Sequence, residues 1–140
     1  MAVRRLRSSS FLAVLLCAVA LPSALLLAPG IAVAVTVEDG TDKAIGAEST
    51  RTVLALIEQH LKSPDAKVTV LRRIGPSLIC GSVNVKNKEG LYTGERGFVV
   101  DLSDNSFGRV PDGPELLSSR SAGFDTKERI RQIYFEKCLD

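Results

Sequence analysis

The 140-residue chain has no tryptophan, a single methionine, a single histidine and three cysteines, and aromatic residues make up only 5% of it. Each shortage excludes something. One histidine, His60, and a few scattered cysteines do not have the clustered spacing of a zinc site. A nucleophilic cysteine needs a base beside it, and nothing in the sequence places His60 next to one. No GxGxxG, phosphate-binding loop, HExxH or GxSxG occurs. Asp101, Asp104 and Asp112 lie near glycines but without EF-hand spacing. The sequence therefore offers no catalytic residue, no metal site and no cofactor, and the expectation is a protein that is not an enzyme.

The one long hydrophobic run is at the start. Arg4, Arg5 and Arg7 precede "FLAVLLCAVALPSALLLA", and Ala32-Val33-Ala34 puts small residues at the −3 and −1 positions of a cleavage site. The expectation is a secretory signal peptide over residues 1–34, with the mature chain beginning near Val35. Pro22, Pro29 and Gly30 would break a spanning helix, which disfavours the alternative of a retained N-terminal anchor in the inner membrane. Removing the signal removes three arginines and leaves 15 basic against 16 acidic residues. Such balance lacks the positive excess that nucleic-acid binding uses, so no nucleic acid is expected as a partner. After cleavage no stable membrane insertion is expected either. The localisation implied is periplasmic or secreted, with a partner, if any, in the cell envelope.

Cys17 leaves with the signal, and Cys80 and Cys138 remain, 58 residues apart. Two thiols sent to an oxidising compartment are most simply a disulfide. A bridge closing a loop of that length is worth roughly 4 kcal/mol in the chain-entropy account. This suits a mature chain of about 106 residues, whose core is modest.

The rest of the chain reads as one α+β domain over residues 49–140, preceded by a flexible leader over 35–48 in which "VTV" could form a short strand. "STRTVLALIEQHLKSP" predicts a helix capped at Ser49 or Thr50 and stopped at Ser63-Pro64. His60 falls in its last turn, where an imidazolium meets the negative end of the helix dipole. "AKVTVLRRIG", "SLICGSVNVKN" and "FVVDL" predict strands, with "SFGRV" a short fourth. Ile79, Gly81, Val83 and Val85 share one face of the second, and Leu78, Cys80, Ser82, Asn84 and Lys86 the other. "PELLSS" predicts a helical turn inside an irregular connection over 110–123. "DTKERIRQIYFEKCLD" predicts the closing helix, with Asp125 and Glu128 as a capping box and Ile130, Ile133, Tyr134 and Cys138 as one stripe. The fold expected is a small antiparallel sheet of three or four strands, flanked by an N-terminal and a C-terminal helix and stapled by Cys80–Cys138.

"NVKNKEGLYTGERGF" predicts a hairpin whose turn runs through "NKEG" and "YTGERG". Asn84, Lys86, Asn87, Tyr92, Thr93 and Arg96 are its candidate binding surface, since an exposed Tyr and Arg are common interface anchors. Lys86, Asn87, Tyr92 and Arg96, as ordinary surface sites, would tolerate substitution within about 0.5 kcal/mol. "LKSPDAKV" at residues 61–68 and "CGSVNVKNKEGLYTG" at 80–94 resemble a group of small, largely uncharacterised exported proteins of Gram-negative bacteria and phages. Their recurring text is of the kind "LKDPDSAKF" followed by "VCGxVNAKNxxGGYTGxxxF". The first piece has one residue fewer here. In the second, Val85 stands where alanine is usual and Leu91 where the first of two glycines is. The resemblance covers roughly residues 50–100. It implies that Asn-Lys-Asn and Tyr-Thr-Gly belong to a shared pattern, and it carries no activity. The function expected is an exported, non-enzymatic binding or accessory module of the cell envelope. The alternatives are an inhibitor of a secreted enzyme and a small thiol or hydrolase-like enzyme with a free Cys80.

Overall fold

A computed structural model describes residues 34–139. The signal peptide expected over 1–34 lies, except for Ala34, outside the described residues. Among the described residues no helix is long and apolar enough to cross a membrane.

The segment expected to be a flexible leader is structured, which corrects that reading, while its "VTV" does supply the short strand allowed for it. Thr36–Val37 forms β1 and Asp42–Ile45 forms the short helix α1. Val35 and Ile45 are buried in the core. The N–H groups of Thr36 and Glu38 donate to the carbonyls of Ala66 and Val68, at 3.2 and 2.9 Å. Single apolar residues spaced through a polar segment carry no period, yet each fills a gap in the core.

The first long helix, α2, spans Ala47–Leu61 and buries Val53, Leu56 and Ile57. It starts two residues before the expected cap. Gly46, at φ 84°, turns the chain after buried Ile45, and Thr50 lies inside the helix, its hydroxyl donating to the Gly46 carbonyl at 2.9 Å. Lys62 ends the helix in the left-handed region, ahead of Ser63-Pro64.

Four further strands follow: β2 (Lys67–Ile74), β3 (Leu78–Lys86), β4 (Tyr92–Asp101) and β5 (Ser106–Arg109). The sheet order is β1-β2-β3-β4-β5, with β1 parallel to β2 and the other pairs antiparallel. Five strands in a mixed sheet therefore replace the expected three or four antiparallel ones. The extra strand is β1, two residues long, too short to show an alternation in sequence.

The two faces of the sheet bury different clusters, as the alternation of β3 predicts. Ile79 and Val83 join Phe98, Val100, Val68 and Leu71 in the main core beneath α2. Cys80 and Val99 face the other way, toward Ile130, Ile133 and Tyr134 of the closing helix α3 (Phe124–Lys137). A one-turn 3-10 helix at Gly113–Leu116 sits where "PELLSS" predicts a turn. Cys80 and Cys138 are bonded, with their Cα atoms 5.7 Å apart, inside the normal range of about 4.4–6.8 Å.

The expected capping box of α3 does not form. Gly123, at φ 72°, takes the N-cap position and the helix begins at Phe124. This leaves Asp125 inside the first turn and frees Glu128 to bind the Arg131 guanidinium at 2.6 and 2.9 Å. That guanidinium, more than any other neighbour, pulls the Glu128 carboxyl down to about 2.

A bulge in β2 carries the fold's main backbone strain. The β2–β3 register shifts between Thr69 and Arg72, and Val70 has φ 55° with its side chain exposed. Asp39 Oδ2 accepts the Val70 N–H at 2.6 Å, and Thr41 Oγ1 accepts the Leu71 N–H at 2.9 Å, so the turn after β1 closes this edge. The Val70 N–H, followed by the Thr41 hydroxyl, holds the Asp39 carboxyl below the usual carboxylate range. A β-branched residue in this region is strained by about 1–3 kcal/mol. Val70→Gly should therefore raise stability by up to about 1 kcal/mol, after the entropy cost of glycine in the unfolded chain. A urea midpoint that fell instead would show that the exposed valine is held by contacts stronger than its strain.

Candidate functional site

The β3–β4 hairpin is built from its own polar side chains. The turn is shorter than expected and runs from Asn87 to Leu91. Asn87 Oδ1 accepts the N–H groups of Glu89 and Leu91, at 3.1 and 2.9 Å, and the Asn87 N–H donates to the Leu91 carbonyl at 2.8 Å. "YTGERG", expected as turn, is instead the first half of β4. The glycine that suggests a turn there serves a bulge: Gly94 has φ 101°, and its N–H donates to Asn84 Oδ1 at 3.0 Å. The register shifts between Asn84 and Lys86 accordingly. Thr93 Oγ1 donates to the Val85 carbonyl at 3.1 Å.

The register places four of the six candidates on two faces of the sheet. Lys67, Asn84 and Glu95 form one cross-strand row, Thr69, Ser82 and Gly97 a second, and Lys86 pairs with Tyr92. Neighbours in such rows share a face. Gly97 lies directly beneath the Tyr134 ring, so this is the α3 face. Asn84, Lys86 and Tyr92 are thus brought together with Lys67, Thr69 and Glu95. Arg96 pairs with Val83, a residue of the main core, and points to the opposite side, where it forms an ion pair with Asp112. Its placement on an exposed turn is corrected: it is a half-buried strand residue with a fixed partner. Asn87 stays in the turn with its side-chain oxygen committed to the backbone.

Each lysine of the open patch has its own carboxylate partner. Lys86 Nζ is 2.6 Å from Asp65, and Lys67 Nζ is 3.0 Å from Glu38. Both ammonium groups also stand over the Tyr92 ring, 5.0 and 5.2 Å from its centroid, within cation–π range. The Lys86 ammonium holds the Asp65 carboxyl below its usual range, while Asp65 and Glu38 raise Lys86 and Lys67 respectively. The Tyr92 hydroxyl donates to the Asp65 carbonyl at 2.9 Å, and Thr69 donates to Glu95 at 3.2 Å. Lys67, Thr69, Asp65 and Glu95 were not among the sequence candidates. The alternation of "KVTV" against buried Val68 would have placed Lys67 and Thr69 on the polar face, but their match to Asn84 and Glu95 depends on register.

Tyr92 is consequently more than a surface residue. Tyr92→Phe removes the tether to Asp65 and keeps the ring, so it should cost about 1 kcal/mol, the usual net worth of one hydrogen bond. Chemical denaturation checks this, and an unchanged midpoint would return Tyr92 to the class of ordinary surface sites.

Elsewhere, Cys80 is buried and engaged in the bridge, and the His60 ring stacks on Phe107 with centroids 5.3 Å apart. Among the described residues no group of three His, Cys, Asp or Glu side chains could hold a metal ion. Comparison with protein families, with curated proteins and with solved structures finds no match to this chain.

Proposed function

We propose that this chain is an exported, disulfide-stapled, non-enzymatic binding or accessory module of the cell envelope that meets its partner through the β3–β4 hairpin. The observation that carries the reading is the bracing of the hairpin. Asn84, Asn87, Thr93, Tyr92 and Lys86 all bind backbone or Asp65, while Lys88, Glu89 and Leu91 at the tip are exposed. A ribbon already held in one conformation loses little entropy on docking. The exposed Leu91 supplies apolar area at its end. A disulfide in a small domain fits an oxidising compartment such as the periplasm. The same rigid tip favours, as a second reading, an inhibitor of a secreted enzyme. A thiol enzyme needs a free Cys80, which the bridge consumes.

The test has two parts. Intact mass of the exported product should show a chain starting near Val35, and a full-length product in the membrane would replace the periplasmic reading with the anchored one. Crosslinking capture from the envelope fraction should then yield a partner that Leu91→Asp and Lys88→Glu lose. A partner held equally by wild type and by both tip variants would sink the hairpin reading. A captured enzyme whose activity falls on addition of the protein would make the chain its inhibitor.

A further inference from the structure

A cleft of about 280 Å³ opens between α3 and the sheet, at the far end of β4 from the hairpin tip. Its interior is apolar, lined by Leu78, Val99, Ile130 and Ile133. Its mouth is polar. Asp101 and Asp104 stand there on β4 and on the turn that follows it. Both carboxylates are pinned: Asp101 Oδ1 accepts the Ser103 hydroxyl and N–H at 2.6 and 2.9 Å, and Asp104 Oδ1 accepts the Ser106 N–H at 2.9 Å. The Ser103 hydroxyl, with its N–H, holds the Asp101 carboxyl below the usual range, so it is ionised at neutral pH. Arg129 lines the same mouth and is exposed, yet it pairs with neither carboxylate. Two carboxylates against the one guanidinium of Arg129 leave the mouth net negative.

We propose that the cleft receives a lysine or arginine side chain of a partner polypeptide, its methylene stem against Val99, Ile130 and Ile133 and its cationic head between Asp101 and Asp104. Long basic side chains bury their stems on apolar surface and keep the charge at the rim, and this cleft supplies both parts in that order. Its volume lies just below the roughly 300–1,000 Å³ of sites that enclose whole small molecules, and its floor has no polar group to orient one. A single side chain delivered on a backbone suits it better. Anionic lipid surfaces, which carry negative charge, would be repelled by the same two carboxylates. The cleft stands apart from the hairpin, and neither site needs the other.

The experiment is an amide NMR titration of the disulfide-bonded protein with three probes: acetyl-Gly-Ser-Arg-Ser-Gly-amide, the same peptide with Glu in place of Arg, and butylguanidinium. The arginine peptide should shift the amides of Val99, Gly108, Ile130 and Ile133, and the glutamate peptide should leave them in place. The double variant Asp101→Asn, Asp104→Asn should weaken the arginine peptide roughly three- to tenfold, the yield of two partly exposed ion pairs. Thr126→Arg, which adds a second guanidinium beside Arg129 and cancels the net negative charge of the mouth without altering the floor, should abolish the shifts while Tm stays unchanged. This second variant decides the matter if the double variant does not fold. Equal response to the Arg and Glu peptides, shifts outside the cleft, or undiminished binding by Thr126→Arg would overturn the proposal. Butylguanidinium binding more tightly than the peptide would replace the polypeptide partner with a free amine or guanidine.

Discussion

Loss of the Cys80–Cys138 bridge, by reduction or by the double variant Cys80→Ala, Cys138→Ala, should lower the unfolding free energy by up to about 4 kcal/mol. The bridge closes 58 residues, which take in most of the sheet, the irregular connection and all of α3. The helix depends on it more than α2 would on any single tie. Within Phe124–Lys137 no residue is fully buried. What anchors α3 is partial burial of Ile130, Ile133 and Tyr134, the fit of Tyr134 over Gly97 and of Ile130 over Gly108, and the bridge just past its end. The Arg72 guanidinium donates to the Cys138 carbonyl and fixes that same end to β2. The loss should therefore be local first. Hydrogen exchange in α3 should quicken before exchange in β3 and β4 does, and the cleft that α3 walls should go with it. A reduced protein within about 1 kcal/mol of the oxidised one would show that packing alone seats the helix.

Phe98→Ala should cost about 3–5 kcal/mol. Phe98 is among the largest fully buried side chains, and it lies between β3 and Phe107, whose ring centroid is 5.8 Å away. Its ring occupies the space above Gly81: a Cβ there would stand 2.6 Å from Phe98 Cζ and 3.0 Å from Leu71 Cδ2. Gly81→Ala alone should cost about 1–3 kcal/mol through overpacking. The two changes share one volume, so the double variant should lose clearly less than the sum of the singles. Strict additivity in chemical denaturation would mean that Gly81 is required for its backbone and not for the ring above it.

How far the sequence anticipates these features depends on the period each one rests on. The alternation of "ICGSVNV" assigns Ile79 and Val83 to one core and Cys80 to the other. The spacing of Ile130, Ile133, Tyr134 and Cys138 gives α3 its buried stripe. Both signals are local and repeat, so they survive into the fold, and together they aim the two sulfurs at one interface. Where no period exists the reading falters. Residues 35–48 look like a loose leader because Val35 and Ile45 sit singly among polar neighbours. In the same way "YTGERG" looks like a turn because a bulge glycine and a turn glycine are the same residue type. Arg96 is legible as an anchor but not as the partner of Asp112, since that pair forms only where β4 and the chain after β5 run side by side.

By itself, then, the sequence determined the two long helices, the three long strands in outline, the division of β3 into two faces and the pairing of Cys80 with Cys138, because these follow from spacing along the chain and from the count of thiols left once a signal is set aside. Only the tertiary structure decided the parallel edge strand, the bulges at Val70 and Gly94, the gathering of Lys67, Lys86 and Tyr92 around Asp65, and the acidic-mouthed cleft under α3. The physical reason is that each of these depends on which residues meet across strands or between helix and sheet. A one-residue change of register would turn Lys67 and Asn84 to the other face, while leaving the composition and the order of elements unchanged.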